Sequence, residues 1–110
     1  MSSDHISTRV NSARLPDFVG KTVRLACKPI QLNGDMAIVQ ASDGGEVTIR
    51  AMKPDINTED GYLEVVGNVL DATTIKMLSY TILGQDLDMK LVNDTIELIH
   101  DPRFYTRMFA

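Results

Sequence analysis

Tyr62-Leu63-Glu64-Val65-Val66-Gly67-Asn68-Val69-Leu70 is the segment on which the architecture turns: it reads as a β-strand with a glycine inside it. A glycine within a strand costs stability, so it needs a reason, and a bend of the kind found at barrel corners supplies one. Asp71-Ala72-Thr73 turns the chain into another strand, Thr74 to Leu83, which Gly84 ends. Immediately upstream, Lys53 to Gly61 holds Pro54, Asp55, Asn57, Glu59 and Asp60 without apolar periodicity and reads as a loop.

Three more strands precede that loop. Thr22 to Leu32 is the longest; Val23, Leu25 and Cys27 alternate with Thr22, Arg24, Ala26 and Lys28 in period-two fashion, and Pro29 marks an edge or a bulge. Asn33-Gly34 is a hairpin signal, because both residue types tolerate positive φ. Met36 to Ala41 follows, then the turn Asp43-Gly44-Gly45, then Glu46 to Met52, with Val47, Ile49 and Ala51 on one face. Further upstream, Ser12 to Phe18 gives a short helical turn with Leu15 and Phe18 as its apolar side, stopped by Gly20. Residues 1–11 are polar and read as a frayed arm.

A long first strand, a meander of three and a glycine kink predict an all-β fold, a five-stranded OB-fold barrel with a C-terminal α-helix. An SH3-like barrel is the rival, disfavoured by the long last pair of strands and the trailing helix. The expected organisation is an arm (1–11), a barrel (12–86), a helix (87–101) and a tail (102–110).

The helix is capped by Asp86 or Asp88, runs from about Leu87 to His100 and ends before Pro102. At 100° per residue its apolar side chains sweep about 200° of the circumference, whereas a helix lying on a barrel needs only about 100°. Four spare apolar side chains would contribute on the order of 6–12 kcal/mol on burial, before association costs. Left in water they would form a patch that soluble monomers rarely carry. The reading is therefore a helix that touches its own barrel on one side and partner helices on the other. The candidate interface residues are Met89, Leu91, Val92, Thr95, Ile96, Leu98 and Ile99, with Val92, Ile96 and Ile99 as the expected seam.

Composition restricts the function classes. The 110 residues suit one domain, 44% are hydrophobic and 24% charged, and the formal net charge is −4. Nucleic-acid binders that work alone usually carry a basic bias, which is missing here, so protein partners come first. No stretch approaches the roughly 20 apolar residues of a membrane span, and the polar N-terminus lacks a signal-peptide core. The single Cys27 allows no internal disulfide and no cysteine zinc site, which fits a reducing intracellular compartment.

In the order and spacing of several short stretches the chain resembles the smallest subunit of replication protein A, the eukaryotic heterotrimer that binds single-stranded DNA. The strongest are Glu64-Val65-Val66-Gly67-Asn68-Val69 and Ile96-Glu97-Leu98-Ile99-His100-Asp101 running into Phe104-Tyr105. Arg9-Val10-Asn11, Gly20-Lys21-Thr22-Val23 and Ser42-Asp43-Gly44 support them, so that the likeness covers about residues 9–105. It implies an OB barrel whose C-terminal helix joins one helix from each of two larger subunits in a three-helix bundle. It also implies a nuclear role in DNA replication, repair and recombination, with DNA held mainly by the other subunits. Alternatives are an autonomous OB module for single strands and the small subunit of the parallel telomeric complex.

OB-folds, those of replication protein A among them, grip single strands with a basic groove and stacked aromatics, each stack worth about 1–3 kcal/mol. Between Val19 and Gly61 there is no Phe, Tyr or Trp, so the usual platform lacks stacking groups. Arg24, Lys28, Arg50 and Lys53 remain candidates for weak phosphate contacts, and Tyr62 and Tyr80 suit the barrel rim.

Catalysis finds no support. His100 beside Asp101 lacks further ligands, Ser42 and Ser79 lack triad partners, and Gly44-Gly45 is not followed by lysine. Pro54-Asp55 followed by Glu64-Val65-Val66 would resemble a nuclease carboxylate pattern, but Val66 stands where lysine is needed. The expectation is a subunit and not an enzyme, without metal, cofactor, small-molecule substrate or membrane association. The isolated chain should accordingly bind a short single-stranded oligonucleotide poorly in a fluorescence-polarisation titration. A sub-micromolar dissociation constant at physiological salt would favour the autonomous module instead.

Overall fold

The computed structural model describes residues 7–52, 56, 59 and 61–101. Six strands form: β1 (Thr8–Val10), β2 (Thr22–Asn33), β3 (Met36–Ala41), β4 (Glu46–Arg50), β5 (Tyr62–Asp71) and β6 (Thr74–Gly84). A 3-10 turn (Ser12–Phe18) separates β1 from β2, and helix α1 (Met89–Ile99) follows β6.

Five of the strands close on themselves. Antiparallel pairing runs from β2 to β3 to β4, β4 joins β6 in parallel, β6 joins β5, and β5 returns to β2. The length of β2 makes closure possible: Thr22–Cys27 pair with Asn68–Leu63 of β5, while Cys27–Asn33 pair with Ala41–Met36 of β3. The register slips between Pro29 and Gln31, where proline has no N–H for the ladder. This is the OB-type barrel with a C-terminal helix.

One part of the N-terminal arm is structural. Thr8–Val10 pair in parallel with Val23–Leu25, on the stretch of β2 that β3 does not reach, and so complete its hydrogen bonding. Val10 is fully buried there. Three residues without amphipathic length give no strand signal, which is why a frayed arm was the expectation for 1–11; residues 1–6 lie outside the described residues.

The inward faces of all six strands build one core around Val23, Leu25, Val39, Val47, Ile49, Leu63, Val65 and Ile75. Leu15 of the 3-10 turn plugs one part of it, and Phe18 packs against it partly buried. Ile56 also enters the core, so the segment read as a polar loop contributes one apolar anchor that its lack of periodicity concealed. Cys27 is buried among these residues, and burial pushes its thiol up to about 12, so it is an inert apolar side chain at neutral pH.

Gly67 is where β5 bends across β6. The ladder shifts register between Val66 and Gly67, and a Cβ there would lie 2.2 Å from the Lys76 carbonyl oxygen and 2.7 Å from Cγ2 of Ile75. Backbone cannot yield as a flexible side chain can. Even Gly67→Ala should therefore destabilise the fold, and Gly67→Val should do so by roughly 1–3 kcal/mol, read as a lower melting temperature. An unchanged melting temperature would refute the close approach of β5 and β6.

Candidate partner-helix interface

Asp88 starts α1 by accepting a hydrogen bond from the Leu91 N–H at 3.1 Å, so of the two expected caps the structure selects Asp88. Lys90 pairs with Asp94 at 2.9 Å, one turn on, along the exposed flank. His100 closes the helix with its backbone N–H on the Ile96 carbonyl.

Ile96 is the one buried residue of α1, 2% exposed. The flank beside it is polar and faces the domain. The Asn11 amide, 1% exposed, donates to Asn93 Oδ1 and to Glu97 Oε2, both at 2.8 Å, while its own oxygen caps the 3-10 turn at Arg14 N–H. Arg14 grips Glu97 with a two-pronged fork, its Nε 3.1 Å from Oε2 and its terminal nitrogen on Oε1. Ser42 donates to Asn93 at 3.2 Å. His100 Nε2 lies 2.9 Å from the Arg9 carbonyl, and its ring meets Phe18 edge-on at 5.7 Å. Hydrogen bonding from Arg14 and then Asn11 holds the Glu97 carboxyl below its usual value. That contribution to docking is complete above the ordinary carboxylate range and fades as pH falls through the lowered value.

The two kinds of contact do different jobs. Full burial of an isoleucine is worth about 1.5–3 kcal/mol, whereas a half-exposed ion pair gives roughly 0–1 kcal/mol. Ile96 supplies most of the attraction, and the polar groups set the rotation of the helix about its axis. Asp43 secures the other side of this junction. Burial would raise its carboxyl, but the Ser12 hydroxyl and the N–H groups of Gly45, Ala13 and Ser12 outweigh burial and hold it down.

With that rotation fixed, an apolar strip turns away from the barrel. Leu91 is 62% exposed, Leu98 49% and Ile99 37%, and Thr95 lies exposed between the leucines with its hydroxyl on the Leu91 carbonyl. At 100° per residue these four span about 100° of the circumference. Of the other sequence-based candidates, Val92 is half-buried at the strip's margin, and Met89 is half-buried beside Ile96, about 20° from it around the helix. Ile96 is a correction: it is the buried, barrel-facing anchor, so the outward side is Leu91, Thr95, Leu98 and Ile99, and of the expected seam Val92, Ile96 and Ile99 only Ile99 is exposed. Asn93, Glu97 and His100, polar residues outside the apolar arc, face the domain. Their partners Asn11, Arg14 and Ser42 lie at least 51 positions away in sequence, so no local pattern reveals them.

The candidate phosphate contacts are partly engaged within the barrel. Arg24 is paired with Glu64 at 3.2 Å and bonds Ser7, Lys28 sits 5.5 Å over the Tyr62 ring, and Arg50 lies beside Lys76 on the neighbouring strand. Lys53 lies outside the described residues. Among the described residues no group of three or more His, Cys, Asp or Glu side chains is placed to hold a metal ion, and no helix is long and apolar enough to cross a membrane.

Comparison with known proteins places this geometry. A chain from a structure of Ustilago maydis replication protein A bound to single-stranded DNA superposes with a TM-score of 0.78 at 29% identity, covering 94% of this chain and 95% of its own. A chain of the Schizosaccharomyces pombe Stn1–Ten1 complex gives a TM-score of 0.72 at 11% identity, over 86% and 91%. The telomere-capping protein Ten1 of the same yeast gives 0.69 at 12%, over 86% and 97%; at such identities these two share the fold alone. The sequence model of the family described as Replication factor A protein 3 matches residues 1–105, nearly the whole chain, and this protein belongs to that family.

Proposed function

We propose that this chain is the small assembly subunit of a replication protein A-like heterotrimer, and that its main contribution is to bring α1 into a three-helix bundle with one helix from each larger subunit. The observation that carries the proposal is the orientation of α1. Ile96 alone is fully buried, with Met89 and Val92 half-buried beside it, while Leu91, Leu98 and Ile99 are presented outward. Burying the surface those three still expose against partner helices would reward association. In this reading the complex binds single-stranded DNA in the nucleus, in replication, repair and recombination, and the larger subunits hold most of the DNA. The pairing of Arg24 with Glu64 and the lack of aromatic residues between Val19 and Gly61 support that division of labour. The family match favours the replication complex over the telomeric one, whose likeness rests on fold.

The test is Leu91→Asp combined with Leu98→Asp. Both positions are exposed, so the isolated variant should keep its circular dichroism and melt within about 0.5 kcal/mol of wild type. Co-expressed with the two larger subunits it should fail to join them, because unpaired charge in a desolvated interface costs several kcal/mol. Recovery of trimer at wild-type yield would remove α1 from the interface.

A further inference from the structure

At the C-terminal end of the apolar strip, Ser7, Thr8, Arg9, Arg24 and Ile99 line an open groove of about 350 Å³. Its floor is an unequal charge cluster. Arg9 Nε lies 3.1 Å from Glu64 Oε2, Arg24 lies 3.2 Å from Oε1, and Arg24 Nε also bonds the Ser7 hydroxyl at 2.8 Å. Two guanidinium groups thus share one carboxylate, leaving one positive charge in excess. The carboxylate is the deeper group: Glu64 is 13% exposed at its side chain, against 39% for Arg24 and 58% for Arg9. Arg9, the most exposed of the three, presents the surplus at the mouth.

We propose that this groove receives a carboxylate side chain, Asp or Glu, carried by the partner helix that packs on the Leu91–Leu98 strip. The proposal rests on the assembly reading above and adds to it the chemistry of the partner. Ile99 belongs to both strip and groove, so a helix lying on the strip reaches the groove without a break, its acidic side chain laying its methylenes on Ile99 and its oxygens on Arg9. A guanidinium fork matches a carboxylate in two-point geometry, which fixes the register and direction of the partner as well as binding it. A protein acid fits better than a nucleic-acid phosphate, because the approach is apolar and the chain's net charge of −4 repels a polyanion.

The experiment uses the co-expressed heterotrimer with Arg9→Gln, Arg9→Lys and Leu98→Asp, and follows release of the small subunit by size-exclusion chromatography at increasing sodium chloride. Arg9→Gln can still hydrogen-bond Glu64, and its isolated melting temperature checks that β1 stays in place. Arg9→Gln is expected to raise the dissociation rate roughly tenfold at low salt and to flatten its salt dependence, with Arg9→Lys recovering much of the loss. Wild-type dissociation of Arg9→Gln, while Leu98→Asp fails to assemble, would overturn the carboxylate site and leave the assembly reading intact. Normal assembly of Leu98→Asp would overturn both. Unchanged assembly of Arg9→Gln with weakened binding of a short oligonucleotide would make the groove a phosphate site. If Asp4→Asn alone reproduced the Arg9→Gln defect, the groove would be filled by this chain's own arm; either outcome contradicts the proposal.

Discussion

The buried amide of Asn11 is the constraint from which the rest of the arrangement follows. Its oxygen shapes the 3-10 turn, its nitrogen reaches both Asn93 and Glu97 of α1, and the preceding residue, Val10, is locked in the core. A buried polar group left without partners costs about 1–3 kcal/mol, so rotating α1 away from this position is penalised on both sides of the contact. Among the described residues no buried side-chain nitrogen or oxygen lacks a partner. The helix therefore has one resting orientation, and its spare apolar surface has one direction to face.

This contact gives physical meaning to the short stretches that carry the family likeness. Arg9-Val10-Asn11, Ser42-Asp43-Gly44 and Ile96 to His100 lie far apart in sequence and converge at the junction of barrel and helix. Gly20 to Val23 and Glu64 to Val69 converge at a second place: Gly20 N–H reaches the Val69 carbonyl and Thr22 bonds Asn68. The first cluster orients the helix, and the second closes β2 on β5. A barrel can be closed by many sequences, as the low identity of its structural neighbours illustrates. The helix-orienting cluster is more demanding, because each of its groups must find one distant partner.

The barrel was largely legible in the sequence, since alternation, turn residues and the kink at Gly67 are local signals. The helix and its excess of apolar surface were legible for the same reason. What escaped were features set by distant chain segments. β1 is too short to show a pattern and exists because β2 has an unfilled edge. Ile56 is a lone apolar residue whose value depends on the core beneath it. The rotation of α1 escaped as well: a helical wheel shows which residues share a side but not which side meets the barrel. Polar residues are ordinarily assigned to water, and Asn93 and Glu97 reverse that rule because Asn11 and Arg14 wait for them.

Methyl NMR with a soluble paramagnetic agent reads directly whether α1 rests with Ile96 inward and its leucines outward, and whether partner helices cover those leucines. Spectra of the isolated chain and of the assembled complex give the accessibility of each methyl group in turn. Strong relaxation of the Leu91 and Leu98 methyls is expected in the isolated chain, with protection of Ile96 there and protection of all three on assembly. A protected Leu98 beside an accessible Ile96 in the isolated chain, or leucines still accessible in the complex, would contradict this expectation.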